Sequence, residues 1–305
     1  MTPPLHSEIV RPTTLIRMPA LSQALGCELT LASELGQHTG SFKFRAAYRV
    51  AAAVPNRSVL TASSGNFGQA MAYACRLLGK TCIVVMPTTS ARVKIEAVCG
   101  HGAQVELVDT QLKSRAERVR ELAAEHPEAY VASAYDDPLV IDGNASLGDE
   151  LSAIDFDAVI APVGGGGLSA GILTGLRRSG SRAELWGAEP AIANDAAQSL
   201  RAGKIVINAQ EPTTIADGAR TVSLGRHNWE VLKDGLAGIV EVSEAQIAEA
   251  LRALHQEAAL RAEPTGALAL AAVMSEPERF AGRRVCAVVS GGNVDPEVFE
   301  ALTRA

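Results

Sequence analysis

Short apolar runs alternate with longer, mixed stretches along most of this chain. In the first half, the runs that predict strands lie at residues 59–62, 82–86, 105–108 and 130–134. The stretches between them predict helices at residues 67–78, 90–99 and 113–125. Strands that alternate with helices of this length predict a parallel sheet with helices on its faces. The unbroken apolar character of the strands agrees, because parallel strands are buried on both sides.

The same alternation is found on both sides of this central region. Further strands are predicted at residues 15–18, 28–32, 158–161, 185–188 and 284–289. Further helices are predicted between the first two of these strands, from a glycine run to residue 178, at 244–261 behind an N-cap at Ser243, and at the C-terminus. Residues 194–225 have an irregular pattern. We therefore expect an α/β protein of two lobes, with residues 1–56 and 137–305 forming a large domain and residues 57–136 a small one.

Composition and charge narrow the function without identifying it. The 305 residues are 47% hydrophobic and carry a net charge of −6 that is not gathered into blocks. The sequence has no stripe of basic residues that would predict nucleic-acid binding. It also has no apolar run of the roughly 18 residues that a membrane span needs. The five cysteines are odd in number and form no CxxC pair, which favours reduced thiols. With no signal-peptide pattern at the N-terminus, we expect a cytoplasmic protein.

Lys43 is the first candidate for chemistry. A lone lysine is usually a solvated surface charge, but Lys43 lies between Phe42 and Phe44 in a chain with only six phenylalanines. The pair Gly40 and Ser41 predicts an N-cap, which would place Lys43 in the first turn of a helix, where the dipole disfavours a cation. An apolar, dipole-opposed lysine has a lowered pKa and can act as an amine nucleophile, for example toward the aldehyde of pyridoxal phosphate.

A run of four glycines supplies the strongest candidate for a phosphate site. It follows the predicted strand at 158–161 and precedes a helix, and it consists of Gly164, Gly165, Gly166 and Gly167. Backbone N–H groups that converge at a helix N-terminus bind phosphate. A tight turn needs fewer glycines. A dinucleotide site is the other alternative, because Gly165, Gly167 and Ala170 fit that spacing and Glu189 follows about 20 residues later.

Two further strand ends carry polar turns. Ser63, Ser64, Gly65 and Asn66 lead into one helix, where their hydroxyl and amide groups could hold a carboxylate or a ring hydroxyl, although ordinary capping also uses these residue types. Ser290 ends the last strand, ahead of two glycines and an asparagine. A neutral serine beside a pyridine nitrogen would leave the ring uncharged and make it a weaker electron sink than an acidic partner would.

Six motifs together give the chain a family resemblance. They are Ser-Phe-Lys at 41–43, Ser-Ser-Gly-Asn at 63–66, the glycines at 164–167, Thr-Ile-Ala-Asp-Gly at 214–218, Glu-Pro-Thr-Gly-Ala at 263–267 and Ser-Gly-Gly-Asn at 290–293. In this order they resemble the fold-type II pyridoxal-phosphate enzymes, a group related to the tryptophan synthase β-chain, and within it the serine/threonine dehydratases and serine racemases. The dinucleotide alternative explains only one of the six motifs. The resemblance implies a two-lobed fold, pyridoxal phosphate in the cleft and a homodimer.

The resemblance also implies a role for each matching residue. Lys43 would be the Schiff-base lysine and Ser64 the serine on the opposite face of the substrate. The cofactor would be held by Phe42, Lys43, Asn66, Gly164, Gly165, Gly166, Gly167, Leu168 and Ser290. The substrate would be bound by Ser63, Ser64, Phe67, Arg115 and Thr221, although a helical arginine is equally often a surface charge. A divalent cation such as Mg²⁺ would be held by Glu189, Asp195 and the carbonyl of Ala193, although surface carboxylates are common.

Two departures leave the substrate open. The family motif usually continues Arg-Gly-Ala after the lysine, where this chain has Arg-Ala-Ala, and Phe67 stands where histidine is frequent. We expect a lyase that converts a β-hydroxy-α-amino acid such as L-threonine or L-serine to a 2-oxo acid and ammonia. The alternatives are a serine-type racemase, a dehydratase of hydroxyaspartate or phenylserine, and a cofactor-binding protein without activity, which intact Lys43 and Ser64 argue against.

Overall fold

Ten strands form two sheets within residues 6–63, 65–90 and 92–304, the parts of the chain that the computed structural model describes. The strands are β1 (Thr14–Arg17), β2 (Glu28–Ser33), β3 (Ser58–Ala62), β4 (Thr81–Pro87), β5 (Gln104–Val108), β6 (Ala129–Ala132), β7 (Ala158–Pro162), β8 (Glu184–Pro190), β9 (Leu236–Val242) and β10 (Arg284–Val289). The larger sheet has the order β1-β2-β10-β7-β8-β9, and the smaller has the order β5-β4-β3-β6. All pairings are parallel except that of β1 with β2. The predicted α/β class with parallel sheets is confirmed.

Helices connect nearly every pair of parallel strands. They are α1 (His6–Ile9), α2 (Pro19–Leu25), α3 (Lys43–Ala53), α4 (Asn66–Leu77), α5 (Arg92–Gly100), α6 (Arg115–Glu125), α7 (Pro138–Ser152), α8 (Gly167–Arg178), α9 (Asp195–Ala202), α10 (Arg226–Leu232), α11 (Glu244–Ala258), α12 (Pro264–Ser275), α13 (Pro277–Phe280) and α14 (Pro296–Thr303). Short 3₁₀ turns cover His38–Gly40, Ala191–Ala193 and Asp217–Ala219. None of the described helices is long and apolar enough to cross a bilayer.

The two sheets divide the chain into two α/β units. The smaller unit consists of β3 to β6 with α4, α5 and α6, and the larger unit consists of the remaining elements. The chain crosses between them after α3 and before α7. This arrangement is compatible with the predicted domains, whose boundaries at residues 57 and 136 stay a prediction.

Helices α7 and α8 of the larger unit pack so closely that their backbones are in contact. A Cβ at Gly175 of α8 would lie 2.2 Å from the carbonyl oxygen of Ala145, and one at Gly148 of α7 would lie 2.3 Å from that of Ile172. No side chain fits at these contacts, so glycine is required where the two backbones meet. The contact holds α8, and with it the glycine turn at its N-terminus, firmly against α7.

A buried ion cluster anchors the start of α3. Arg45 is fully buried and donates to both carboxylate oxygens of Glu34, from Nε at 2.7 Å and from Nη2 at 2.9 Å. Its Nη1 donates to Glu150 of α7 at 2.7 Å. Buried charges persist where they are paired and hydrogen-bonded. The cluster joins α3, the segment after β2 and α7, and so fixes the backbone beside Lys43.

Some local predictions were wrong. The N-cap of α3 is Phe42 rather than Ser41, and no side chain caps this helix. Ser41 instead bridges to Gly291, and its hydroxyl has no hydrogen-bond partner among the described residues. The segment 194–225 is not wholly irregular, since it contains α9. The predictions also missed α7, β9, α10 and α12, whereas the capping of α11 by Ser243 is confirmed.

Candidate active site

Three of the predicted motifs follow the carboxyl ends of strands, two in the larger sheet and one in the smaller. The turn after β7 holds the four glycines, β10 leads to Ser290, and β3 leads through Ser63 to the first turn of α4. The start of α3 is joined to the end of β10, because the N–H of Phe42 donates to the carbonyl oxygen of Ser290 at 3.0 Å. Strands β7 and β10 are neighbours in the larger sheet. Lys43, the glycine turn and Ser290 therefore lie at the carboxyl ends of the central strands of that sheet.

Lys43 is partly buried, and its amine lies in a largely apolar setting. Its Nζ donates to the carbonyl oxygen of Ala134 at 3.0 Å and lies 5.0 Å from the ring centre of Phe42 and 5.8 Å from that of Phe67. Burial lowers the pKa of Lys43 to about 8, against a smaller opposing influence from the carboxylate of Glu263. The amine is thus far more often neutral near physiological pH than an exposed lysine.

The glycine turn has the shape of an anion cradle. Gly166 has a φ of 89°, which the other residue types rarely adopt, and it forms the N-cap of α8. A Cβ at Gly165 would lie 2.2 Å from the ring of Tyr135. The carbonyl of Gly165 points away from the turn, since it accepts from Nδ2 of Asn228 at 2.6 Å and from the N–H of Gly225 at 3.0 Å. The first N–H groups of α8 have no helical partners, which suits them to bind phosphate oxygens.

Ser290 presents a polar atom that the protein does not use. Its side chain is 1% exposed, and its Oγ has no hydrogen-bond partner in the described part of the chain. A buried hydroxyl without a partner is costly. A ring nitrogen of a bound group would satisfy it. Together with the amine of Lys43 and the glycine turn, this hydroxyl fits pyridoxal phosphate, which needs an amine, a phosphate cradle and a partner for its pyridine nitrogen.

Asn66 is held by two neighbouring side chains. Its Nδ2 donates to the carboxylate oxygens of Glu263 at 2.8 and 3.1 Å, and its Oδ1 accepts from Nδ2 of Asn293 at 2.7 Å. Asn66 begins α4 of the smaller unit, whereas both partners belong to the larger one. These bonds therefore tie the two units together beside Lys43. The contact of Asn66 with a ring hydroxyl stays a prediction.

Of the predicted substrate residues, Phe67 has a described contact with the Lys43 amine. Phe67 is buried beside the amine of Lys43, and the hydroxyl of Ser63 accepts from the N–H of Gly65 at 3.3 Å. The Oγ1 of Thr221 is buried, with no partner among the residues that the structure describes. Leu168 is buried in the first turn of α8. Ser64 lies outside the described residues, so its role stays a prediction.

Arg115 opens α6 and faces the larger unit. It is half-exposed, and its Nη2 lies 3.6 Å from a carboxylate oxygen of Glu211. Its charge also acts on the phenol of Tyr135, the residue packed against the glycine turn. Arg115 therefore lies near the site, although none of these contacts is specific for a substrate.

The proposed cation ligands form a buried acidic pair. Asp195 is 2% exposed, and burial raises its pKa to about 6, while one of its carboxylate oxygens has no partner among the described residues. Burial also raises the pKa of Glu189, whose carboxylate accepts from the N–H groups of Ala196 and Ala197 and so caps α9. Ala193 is buried in the adjoining 3₁₀ turn. Within the described ranges, no cluster of three or more histidine, cysteine or acidic side chains is arranged for a metal, so the cation stays a prediction.

Sequence reasoning assigned no role to three neighbours of the site. Glu263 and Asp217 were part of recognised motifs, and Tyr135 was not noted at all. Lys94 of α5 forms an ion pair with Asp217 at 3.0 Å, which joins the two units. A glutamate that interrupts an Ala- and Gly-rich segment was the available signal for Glu263. No signal in the sequence connects Lys94 with Asp217, 123 positions away.

Comparison with known proteins agrees with this geometry. The profile of the family described as "Pyridoxal-phosphate dependent enzyme" matches residues 6–291. The L-threo-3-hydroxyaspartate ammonia-lyase of Pseudomonas sp is 36% identical over 290 residues, which cover 93% of this chain and 90% of that protein. The serine racemase of Homo sapiens is 35% identical over 295 residues, which cover 93% of this chain and 86% of that protein.

A solved structure extends the agreement to three dimensions. A threonine deaminase from T.th. superposes with a TM-score of 0.88 at 39% identity, and the match covers 95% of each chain. The family profile and the relatives span nearly the whole chain, and the residues at the strand ends fit the cofactor that the family uses. The chain belongs to the pyridoxal-phosphate dependent enzymes and has the fold-type II architecture of their dehydratases and serine racemases.

Proposed function

We propose that this protein is an ammonia-lyase that acts on a β-hydroxy-α-amino acid with the help of pyridoxal phosphate. The observation that carries the proposal is the partly buried amine of Lys43, which lies near the rings of Phe42 and Phe67, together with the glycine turn and the unpartnered hydroxyl of Ser290. When bound, pyridoxal phosphate supplies an electron-withdrawing ring that stabilises negative charge at the α-carbon of the substrate. Lys43, the N–H groups at residues 164–168, Ser290 and Asn66 are the residues that would hold it.

Lys43 is suited to move the proton of the α-carbon. A base works best when its pKa lies near the working pH, and burial brings the pKa of Lys43 to about 8. The rings of Phe42 and Phe67 pack near the amine and contribute to the burial that lowers its pKa. Ser290 offers a neutral hydroxyl rather than a charge, and a pyridine nitrogen bound there would remain uncharged, which would make the ring a moderate electron sink.

An acidic substrate, 3-hydroxyaspartate, has the best support within this class. The ammonia-lyase from Pseudomonas sp acts on L-threo-3-hydroxyaspartate by name and shares 36% of the aligned residues. The β-carboxylate of this substrate needs a positively charged partner in the site. Arg115 is a half-exposed cation near the site. Its ion pair with Glu211 is long, at 3.6 Å. An exposed pair of this kind contributes little stability, so a substrate carboxylate could replace Glu211 at low cost.

The test is ammonia release from a panel of amino acids. The panel contains L-threo-3-hydroxyaspartate, L-serine, L-threonine and L-phenylserine, and is run on the protein loaded with pyridoxal phosphate. We expect the fastest release from the hydroxyaspartate and none from the Lys43→Ala variant. Arg115→Met should lower the rate with hydroxyaspartate more than that with L-serine. Release that is unchanged in Lys43→Ala, or absent with every substrate, would contradict the proposal.

Racemisation is the second candidate, supported by the 35% identity with the human serine racemase. It needs proton transfer on both faces of the α-carbon, and Ser64 is the residue that sequence resemblance offers opposite Lys43. If Ser64 acts there, Ser64→Ala should abolish interconversion of L- and D-serine while ammonia release persists. Racemisation at the wild-type rate in that variant would remove Ser64 from this role.

A further inference from the structure

Glu263 is a buried acid beside the amine that the proposed function uses, and so far it has no role in the chemistry. It immediately precedes α12, and its side chain does not cap that helix. It is 4% exposed. A carboxylate in such a place must be hydrogen-bonded or neutralised to be tolerated. The groups around Glu263 show whether its carboxylate is hydrogen-bonded or neutralised.

The direction of each hydrogen bond follows from a backbone carbonyl. The carbonyl oxygen of Thr39 can only accept, so the Asn293 atom 2.7 Å from it must be Nδ2. The same Nδ2 lies 2.7 Å from an amide atom of Asn66, which must then be Oδ1. The Asn66 Nδ2 group is thereby turned toward Glu263 and donates to both of its oxygens. Two oxygens that both accept favour the ionised form of the carboxylate.

Charged groups from several elements face this carboxylate. Burial raises the pKa of Glu263 to about 7, and the negative charge of Asp217 adds to that increase. The hydrogen bond from Asn66 and the positive charges of Lys94 and Lys43 lower it. Asn66 and Lys94 belong to the smaller unit, whereas Asp217 and Lys43 belong to the larger one. The groups that favour the ionised form thus come from both sides of the boundary.

We propose that Glu263 is a positioning residue of this site, whose ionised carboxylate fixes the amide of Asn66 and keeps a negative charge beside the amine of Lys43. It deepens the proposed function, since it concerns the same site. Asn66 is the residue expected to meet the ring hydroxyl of the cofactor, so loss of the charge should be visible in the cofactor itself. The inference can therefore be tested without any substrate.

The experiment follows the visible absorption of the full-length protein, loaded with pyridoxal phosphate, as the pH is varied. We expect the wild type to show a spectral transition as Glu263 changes charge, with a midpoint above the usual range of a glutamate because burial raises the pKa of Glu263. Glu263→Gln keeps an acceptor for Asn66 but removes the charge, so the transition should disappear. It should also bind the cofactor about tenfold more weakly, the loss expected for one charge-assisted hydrogen bond. Glu257→Gln, which changes an exposed acid on α11, is the matched control and should behave as wild type.

Glu263→Asp separates the charge from the hydrogen bonds. Aspartate keeps the negative charge, but its side chain is one methylene shorter, so its carboxylate lies farther from Asn66. The transition should therefore remain, while part of the loss in cofactor affinity should persist. A role limited to packing would be preserved in Glu263→Gln, whose side chain has nearly the same shape, and would leave the midpoint where it is. If Glu263→Gln keeps both the wild-type midpoint and the wild-type affinity, the proposal is wrong.

A second pair of variants leaves Glu263 in place, so the test does not depend on how well Glu263→Gln folds. Lys94→Met removes a positive charge and should raise the midpoint by about one pH unit, and Asp217→Asn removes a negative charge and should lower it. Both side chains are partly exposed, so these substitutions should disturb the fold less than a change at the buried Glu263. Shifts in opposite directions support the proposal, and equal or absent shifts overturn it. A protein that releases no ammonia but shows these shifts would refute the proposed function alone.

Discussion

Replacing Arg45 by methionine should strongly destabilise the fold. Arg45 is fully buried, and three of its nitrogen atoms donate to the carboxylates of Glu34 and Glu150 at 2.7 to 2.9 Å. Methionine fills a similar length without any donor, so Glu34, which has no exposed side-chain surface, would keep a buried charge without its partner. Removing one member of a buried ion pair costs about 3–5 kcal/mol.

A surface pair of the same chemistry provides the control. Arg92 is 91% exposed and bonds to Glu96 at 2.6 Å, one helical turn away. Water screens this pair, so Arg92→Met should cost less than about 0.5 kcal/mol. The two substitutions are chemically identical, and the N–O distances of the two ion pairs are nearly equal. A difference between them therefore measures the effect of burial.

Thermal unfolding by calorimetry, at one fixed cofactor concentration, is the assay. The Tm of Arg45→Met should fall by on the order of 10 °C for a chain of this size, and that of Arg92→Met by no more than about 2 °C. Combining Arg45→Met with Glu34→Leu should recover part of the loss, because no charge is then left buried without a partner. Equal Tm values for the two single variants would refute the reasoning, since burial would then contribute nothing.

Three further outcomes can be measured directly. The rate at which the cofactor-free protein captures pyridoxal phosphate should rise with pH around a midpoint near 8, because burial lowers the pKa of Lys43 to about 8 and only the neutral amine reacts; a midpoint near 10 would contradict this. Gly175→Ala, whose Cβ would lie 2.2 Å from a carbonyl oxygen, should cost about 1–3 kcal/mol, whereas Gly100→Ala at an open helix end should not destabilise. If a divalent cation binds at Glu189 and Asp195, a chelator should lower the Tm of the wild type but not that of Asp195→Ala; an unchanged wild type would remove the cation site.

The apolar pattern of the sequence predicted the strands that are buried on both faces of a sheet. The strands at 59–62, 82–86 and 284–289 were found because parallel strands are apolar throughout. Helix α7 was missed because its sequence contains aspartate, glycine and asparagine, which normally favour turns. In the structure these small residues are used for close packing: a Cβ at Gly143 would lie 2.7 Å from the carbonyl oxygen of Arg45. Tertiary contacts of this kind override local propensity.

The parts of the site that the sequence could predict are those whose residues lie within one short continuous motif. Lys43, the glycines at 164–167 and Ser290 each lie in a short motif with its own chemical meaning. Glu263 could not be assigned a role, because its meaning comes from Asn66, 197 positions earlier in the chain. Ser41 was misjudged for the same reason: its sequence context is typical of a helix cap, but its backbone pairs with Gly291, 250 residues later.

The environment of Lys43 balances two opposing effects, and this balance matters for the proposed chemistry. Burial alone would lower its pKa further, but the charge of Glu263 raises it, so the value remains about 8. An amine that must first take a proton from the substrate and then give one back works best when both of its forms are accessible near neutral pH. Glu263 therefore opposes part of the effect of burial, and its removal should make Lys43 a weaker base. A lower midpoint for cofactor capture in Glu263→Gln than in the wild type would follow, and an unchanged midpoint would show that the charge of Glu263 does not reach the amine.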